Sequence, residues 1–292
     1  MDDGAVVCWG TGSNHVNNGD GSNNDRGHPT AAIPLGGVAV SIATGDGHAC
    51  AVLENGSAYC WGKGSSGQIG NNQRNQGNSV SQVNLPNGYS AVSIHSGPES
   101  DTTCAIMSDN SAWCWGQNDY GQAGVGHDCD YGEYAENCNG YSGLSSPKRV
   151  TSLPEGFVPV KIMMDHFSTC FLSKSYEIRC VGYMPGWGGW ANTENSPNSI
   201  SITNDMMWGS TTVNAIDFSL SNDYMCIVTI IFDTICAGEH SNGKTGLNLT
   251  GGQNRWEYFG DPSYTMLNNM DFYQNDPQGT EVVTSLTSGQ SH

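Results

Sequence analysis

The chain has 292 residues, 10 Lys and Arg against 28 Asp and Glu, a formal net charge of −18 and only 13% charged residues. So acidic a chain, with scattered basic residues and no stripe to neutralise phosphates, is repelled by nucleic acid and anionic lipid. No run approaches the roughly 18 consecutive apolar residues of a membrane span, and no basic segment followed by an apolar one opens the chain as a signal peptide would. Thirty-nine Gly, many short apolar runs and no long stretch at helical spacing favour turns and strands over helical bundles and α/β nucleotide folds. Eleven Cys is an odd number and exceeds the habit of cytosolic proteins.

In chain order the first mark is Cys8-Trp9-Gly10. The same position returns at Cys60-Trp61-Gly62, Cys114-Trp115-Gly116, Cys180-Val181-Gly182 and Cys236-Ala237-Gly238, at spacings of 52, 54, 66 and 56 residues. In the last four, a partner stands ten positions earlier: Cys50, Cys104, Cys170 and Cys226. An apolar run precedes each hairpin, at Val40-Ser41-Ile42, Val92-Ser93-Ile94, Val160-Lys161-Ile162, Ala215-Ile216-Asp217-Phe218 and Val282-Val283-Thr284-Ser285-Leu286. Two further runs, Val83-Asn84-Leu85-Pro86 and Val150-Thr151-Ser152-Leu153-Pro154, complete about four short strands per unit with no helix, as in a propeller blade. Gly67 and Gly70, Gly121 and Gly124, and Gly243 and Gly246 fall in phase after the hairpins, the first two pairs as Gly-Gln-x-Gly. The expected organisation is a single all-β propeller domain, or a fragment of one, with about five units at 1–47, 48–101, 102–167, 168–223 and 224–292.

Parity specifies each hairpin. If Cys50 faces Cys60 across antiparallel strands, the loop is Glu54-Asn55-Gly56, a three-residue turn whose last residue is left-handed. That position is Gly4, Gly56 and Asn110 in the first three units, but Tyr176 and Phe232 in the others, where a different loop is expected. Opposed Cα atoms lie about 4.5 to 5.5 Å apart, within the reach of a disulfide. Cross-strand disulfides therefore follow for Cys50 with Cys60, Cys104 with Cys114, Cys170 with Cys180 and Cys226 with Cys236, while Cys8 is left unpaired. A hairpin lacks the close knuckle of a zinc site, so no metal and no cofactor is expected. The phase puts the partner of Cys8 ten positions before it, ahead of residue 1, which reads Met1 as an internal methionine. Thr287–His292 matches Ala43–His48, so the ends either meet to close a five-unit ring or belong to a longer array, which the missing Cys strand favours.

The unit His48-Ala49-Cys50-Ala51-Val52-Leu53-Glu54-Asn55-Gly56-Ser57-Ala58-Tyr59-Cys60-Trp61-Gly62, followed by Gly67-Gln68-Ile69-Gly70, resembles the regulator-of-chromosome-condensation repeat family, as does Cys104 to Gly124. The resemblance implies a β-propeller, usually of seven blades with four antiparallel strands each. Members include a nuclear exchange factor for a small GTPase, a secreted bacterial inhibitor of β-lactamases and extracellular repeat proteins. Nuclear members rely on basic segments, which an acidic chain with paired Cys lacks. It is more similar to secreted members, whose blade-connecting loops grip partner proteins with aromatic side chains.

Candidate sites follow from departures from the repeat. Cys129 and Cys138 fall in the longest spacing, an insertion stapled by its own disulfide and carrying Tyr131 and Tyr134. Closing so short a loop is worth about 2 to 3 kcal/mol, and rigid aromatics make good anchors. The segment Gly182-Tyr183-Met184-Pro185-Gly186-Trp187-Gly188-Gly189-Trp190 replaces Gly-Gln-x-Gly in the fourth unit, offering Tyr183, Trp187 and Trp190 to a sugar ring or a protein. Trp256 and Tyr258 form a weaker patch. Trp9, Trp61 and Trp115 recur in phase and are read as packing residues. Asn17 to Asp25 has oxygen ligands but not the EF-hand spacing, and Asn55-Gly56-Ser57 and Asn248-Leu249-Thr250 are glycosylation sequons. No catalytic motif appears and the eight His are scattered. The expectation is a secreted or cell-surface, monomeric, non-enzymatic module that binds a protein or glycan through its loops, with no nucleic acid. The alternatives are exchange on a small GTPase, by family analogy, and a polysaccharide-active enzyme.

Overall fold

A computed structural model describes residues 4–10, 25, 27–29, 31–74, 77–129, 138, 143–183, 200–201, 214–221, 224–231 and 234–238. The first sheet joins β1 (Ala39–Thr44), β2 (His48–Leu53), β3 (Ala58–Gly62) and β4 (Gly77–Gln82) in chain order. The second repeats the pattern with β5 (Ala91–His95), β6 (Thr102–Met107), β7 (Ala112–Gln117) and β8 (Gly143–Arg149). The third has β9 (Pro159–Met164), β10 (Ser168–Ser173), β11 (Ile178–Gly182) and β12 (Ile200–Ser201), and β13 (Ala215–Leu220), β14 (Tyr224–Thr229) and β15 (Thr234–Gly238) form a fourth. All neighbouring strands are antiparallel. Ahead of the first sheet, Val7 bridges Ala32, and Val6, Ile33 and Leu35 pack on Leu53 and Trp61. Among the described residues no helix is long and apolar enough to cross a membrane.

The cysteine register is as the spacing predicts: Cys50, Cys104, Cys170 and Cys226 directly oppose Cys60, Cys114, Cys180 and Cys236. Three of these pairs are disulfides with Cα atoms 4.0 to 4.1 Å apart, and Cys226 is disulfide-bonded as well. Cys129 and Cys138 form the loop disulfide, and Cys8 is the free thiol.

The hairpin at Tyr176 corrects one expectation. Gly4, Gly56, Asn110 and Tyr176 all have positive φ, 66°, 80°, 65° and 69°. The three hairpins at 53–57, 107–111 and 173–177 are closed by the same two backbone hydrogen bonds, of which the N–H of the left-handed residue donates one. The reason is its carbonyl: Tyr176 accepts the Ala215 N–H at 2.8 Å, as Gly56 accepts that of Ala91 and Gly4 that of Ala39. These three tips thus hang the first strand of the next sheet. Asn110 makes no such bond because Pro159 opens β9 and lacks an N–H. The Tyr176 side chain is exposed, so only the conformation costs energy. Tyr176→Asn should raise stability by about 1 kcal/mol, read as a higher urea midpoint at unchanged slope. A lower midpoint would show that the ring contributes packing.

The fourth strands also differ from expectation. Val83–Pro86 and the run at 150–154 are connectors, and β4 and β8 precede them. Val83 donates to Ala58 O and Asn84 to Gly70 O, after which Pro86 ends the supply of donors. The strand that pairs is polar Gly77–Gln82, whose Ser79 and Gln82 are exposed, so it carries no apolar signal. The sheets are also offset from the sequence units: each takes its first strand from the end of the preceding unit. The first strands of successive sheets adjoin one another. Register shifts between Ala39 and Ser41, Ala91 and Ser93, and Ala215 and Asp217 mark a bulge in each, which aims Val40 and Val92 outward, 55% exposed each.

The in-phase tryptophans divide. Trp61 and Trp115 are buried, at 1% and 0% exposure, as read, but Trp9 is 58% exposed. Trp115 lies under the loop of the preceding sheet, and among the described residues no sheet precedes Trp9. The run Val282–Leu286, Gly243 and Gly246, Phe232, most of Asn17 to Asp25 and the sequon at Asn248 lie outside the described residues.

Candidate functional site

The described residues of the loops after the first and third strands of the first two sheets, with the turn between β9 and β10, gather at one end. At the junction of the first two sheets they are consumed by architecture. Gly67 and Gly70 have positive φ, and a Cβ there would stand 2.5 Å from Leu144 O and 2.7 Å from Trp115 Nε1, so the loop lies flat on the second sheet. Gln68, fully buried, uses every polar atom of its side chain and its carbonyl. Its Nε2 donates to Asp101 Oδ1 at 2.8 Å and its Oε1 accepts Ser66 N–H at 2.9 Å. Its backbone carbonyl accepts Trp115 Nε1 at 2.9 Å and Thr103 Oγ1 at 3.1 Å. Lys63 bridges Asp46 and Asp101 at 2.8 Å each, and burial pushes the Asp101 carboxyl up against the opposing pull of Lys63. His48 Nε2 lies 2.9 Å from Thr103 Oγ1.

The next junction is built differently. Gln122 again accepts a backbone N–H, that of Tyr120 at 2.9 Å, and its Nε2 reaches His166 O at 3.4 Å. Val181 replaces the tryptophan, however, and Thr169, which stands where Thr103 does one sheet earlier, has a buried hydroxyl with no partner. Over this junction sits a group of half-buried rings. Phe167 packs edge-on against Tyr120 at 5.1 Å, Tyr183 at 5.9 Å and His166 at 4.4 Å, and Tyr120 stacks on Tyr183 at 5.9 Å. Tyr183 N–H donates to Phe167 O at 2.9 Å, and His166 Nδ1 lies 3.2 Å from Glu99 O. Where the preceding junction has Ser66, Ser100-Asp101 and Gln117, this one has Tyr120, His166-Phe167 and Tyr183. Aligning the units loop by loop exposes that change from polar to aromatic; counting only cysteines and glycines misses it.

Of the sequence-derived candidates, Tyr183 joins this cluster. Tyr131 and Tyr134 lie outside the described residues, in the connection that follows Tyr120, and so do Trp187 and Trp190, in the one that follows Tyr183. Trp256 and Tyr258 also lie outside them. At the opposite end a polar cleft of about 370 Å³ is lined by Asn55, Gln82, Asn84, Asn87, Tyr89 and Ser90. Asn55 of the sequon is exposed there, its Oδ1 accepting Ser57 N–H at 2.9 Å. One group of metal-ligating side chains occurs among the described residues, His127, Cys129 and Cys138.

Asp165 underlies the aromatic cluster and is buried. Its carboxylate accepts the N–H of Phe167 at 2.8 Å and of Ser168 at 2.6 Å, and the Ser168 hydroxyl at 3.0 Å. Burial outweighs these donors and pushes its pKa to about 7. A carboxyl raised in the folded state adds stability fully below the unfolded value near 3.8, and that stability is lost as pH rises through about 7. His48 and His95, pushed down by burial to about 4, act oppositely, losing stability as pH falls from 6.5 towards 4. Asp165→Asn keeps the acceptor oxygen and isolates the first effect. The variant should match the parent at pH 4 and exceed it in urea midpoint at pH 8. A constant difference across that range would contradict the assignment.

Successive in-phase antiparallel sheets, three of them with four described strands, define the chain as a β-propeller repeat protein. Residues 39–68 and 100–122 match the pattern of the regulator of chromosome condensation (RCC1) repeat. The X-linked retinitis pigmentosa GTPase regulator homolog of Caenorhabditis elegans is 38% identical over 91 residues, which are 31% of this chain and 6% of that protein. The E3 ubiquitin-protein ligase HERC2 of Homo sapiens is 29% identical over 175 residues, 59% of this chain and 3% of the relative. Among solved structures, Prp20p of Saccharomyces cerevisiae superposes with a TM-score of 0.62 at 17% identity, covering 83% of this chain and 55% of Prp20p. The chain thus spans about half of that propeller and a small part of the curated relatives.

Proposed function

We propose that the chain is an extracytoplasmic binding module that grips a protein partner with the loop end of its second and third sheets. The observation that carries this reading is the half-buried group Tyr120, His166, Phe167 and Tyr183. Its rings stand where the preceding junction has Ser66, Asp101 and Gln117, of which Ser66 and Asp101 are spent on Gln68 and Lys63. Large rings of low conformational entropy around a partly open junction are the chemistry of interface anchors. The disulfides support an oxidising compartment, and the absence of a basic cluster argues against a chromatin surface.

The test is an array of extracellular proteins and glycans probed with the purified chain. For any protein ligand found, the Tyr120→Ala/Tyr183→Ala pair should lower affinity at least tenfold, while Asn87→Ala at the opposite end leaves it unchanged. Binding that survives the tyrosine pair overturns the loop-end assignment. A ligand found only among the glycans favours the sugar-stacking reading. Accelerated nucleotide release from a small GTPase would replace this reading with exchange activity. The compartment is tested by the intact mass of chain isolated without reduction, since free thiols at Cys50, Cys60, Cys104 and Cys114 overturn secretion.

A further inference from the structure

Cys129 and Cys138 differ from the hairpin cysteines in what surrounds them. Their sulfurs, joined in the disulfide, and one ring nitrogen of His127 all lie within 4.8 Å of one another, so opening the S–S bond to the roughly 3.8 Å between two ligands of a tetrahedral centre with bonds of about 2.3 Å would keep the three donors within reach of one ion. The sulfurs are buried, at 5% and 2% exposure for the two residues, and His127 is half-buried at the surface side. His127 Nδ1 lies 3.1 Å from the Asp128 carbonyl, a contact that with Nδ1 protonated leaves the ring's lone pair on Nε2. Fully buried Asn118 holds the segment from behind. Its Nδ2 donates to His127 O at 2.9 Å and to Cys129 Sγ at 3.5 Å, and its carbonyl accepts Cys129 N–H at 2.7 Å. A donor aimed at sulfur favours thiolate over thiol, and the backbone that carries two of the three ligands is fixed independently of the disulfide.

We propose that His127, Cys129 and Cys138 form a site for a soft divalent cation of the zinc type, interchangeable with the Cys129–Cys138 disulfide. A dithiol reductant supplies two electrons and two protons, breaking the S–S bond to give two thiols while the reductant becomes its own disulfide. Binding the cation then releases those two protons, and two thiolates with one neutral imidazole leave a neutral centre. Three protein ligands leave the fourth tetrahedral position to water. The staple of the longest loop thus holds in either redox state, by a covalent bond when oxidised and by a metal when reduced.

The probe is Co²⁺ titrated into the full chain after anaerobic reduction with a dithiol and removal of the reductant. One equivalent should bind with thiolate-to-cobalt charge-transfer absorption, and Zn²⁺ should displace it. His127→Ala, Cys129→Ser and Cys138→Ser should each weaken binding at least tenfold. Cys8→Ser should not, and the oxidised chain should give no such band. Unchanged binding in the three ligand variants, or none in the reduced parent, overturns the proposal. Should reduction also melt the sheets, as read by far-ultraviolet circular dichroism, the zinc content of chain produced and purified under reducing conditions decides. About one equivalent, lost in the His127→Ala variant, supports the site; less than a tenth overturns it.

Discussion

Trp115→Ala is expected to lower stability by about 3 to 5 kcal/mol, the range for emptying a fully buried aromatic site. Trp115 is 0% exposed, and its indole is the surface on which the preceding sheet's loop rests, with Gly70 too close to admit a Cβ. The truncation removes apolar burial and also deprives Gln68 O of one of its two donors. Trp115→Phe separates these contributions, since it keeps most of the volume and loses the Nε1 hydrogen bond, at about 1 kcal/mol. Urea unfolding measures both. Equal costs would mean that the hydrogen bond carries the junction, and a cost below about 1 kcal/mol for alanine would mean that the two sheets do not unfold together.

Gly116→Ala is the second large effect, about 3 kcal/mol. Gly116 has φ of +96°, and a Cβ there would stand 2.2 Å from the backbone oxygen of Asp101, an atom that already accepts Gln117 N–H at 2.9 Å. Backbone strain and a backbone clash coincide, and neither neighbour can swing away. Gly88→Ala is the control, because Gly88 also has positive φ, +85°, yet nothing lies within 4 Å of its Cβ position. It should cost about 1 kcal/mol. Similar losses in the two variants would show that conformation alone, not the approach of Asp101, makes glycine necessary after each Cys-Trp pair.

The aromatic cluster illustrates where local reading stops. Tyr183 stood out because it opens a loop that breaks the Gly-Gln-x-Gly pattern. Tyr120 sits inside an intact copy of that pattern, and His166 and Phe167 occupy a short turn with no motif. Their association arises because the connection after β7 crosses to the third sheet, bringing residues 47 and 63 positions apart into ring contact. Tyr176 fails for a related reason. Its intrinsic dislike of the left-handed region was visible, but the hydrogen bond from Ala215 that holds it there belongs to a strand of the next sheet.

Strand register and disulfide pairing were legible in the chain because both are set within one hairpin, where nine residues between cysteines and a three-residue turn leave one antiparallel alignment. The repeat phase was legible too, since each unit must offer the same glycines to the next. Which tryptophan is covered, where the polar fourth strand pairs, and which loops expose rings instead of burying a glutamine were decided only when the sheets packed. Those properties depend on surfaces that meet between units, and the burial of Trp115 and the exposure of Trp9 come from the same local sequence beside different neighbours.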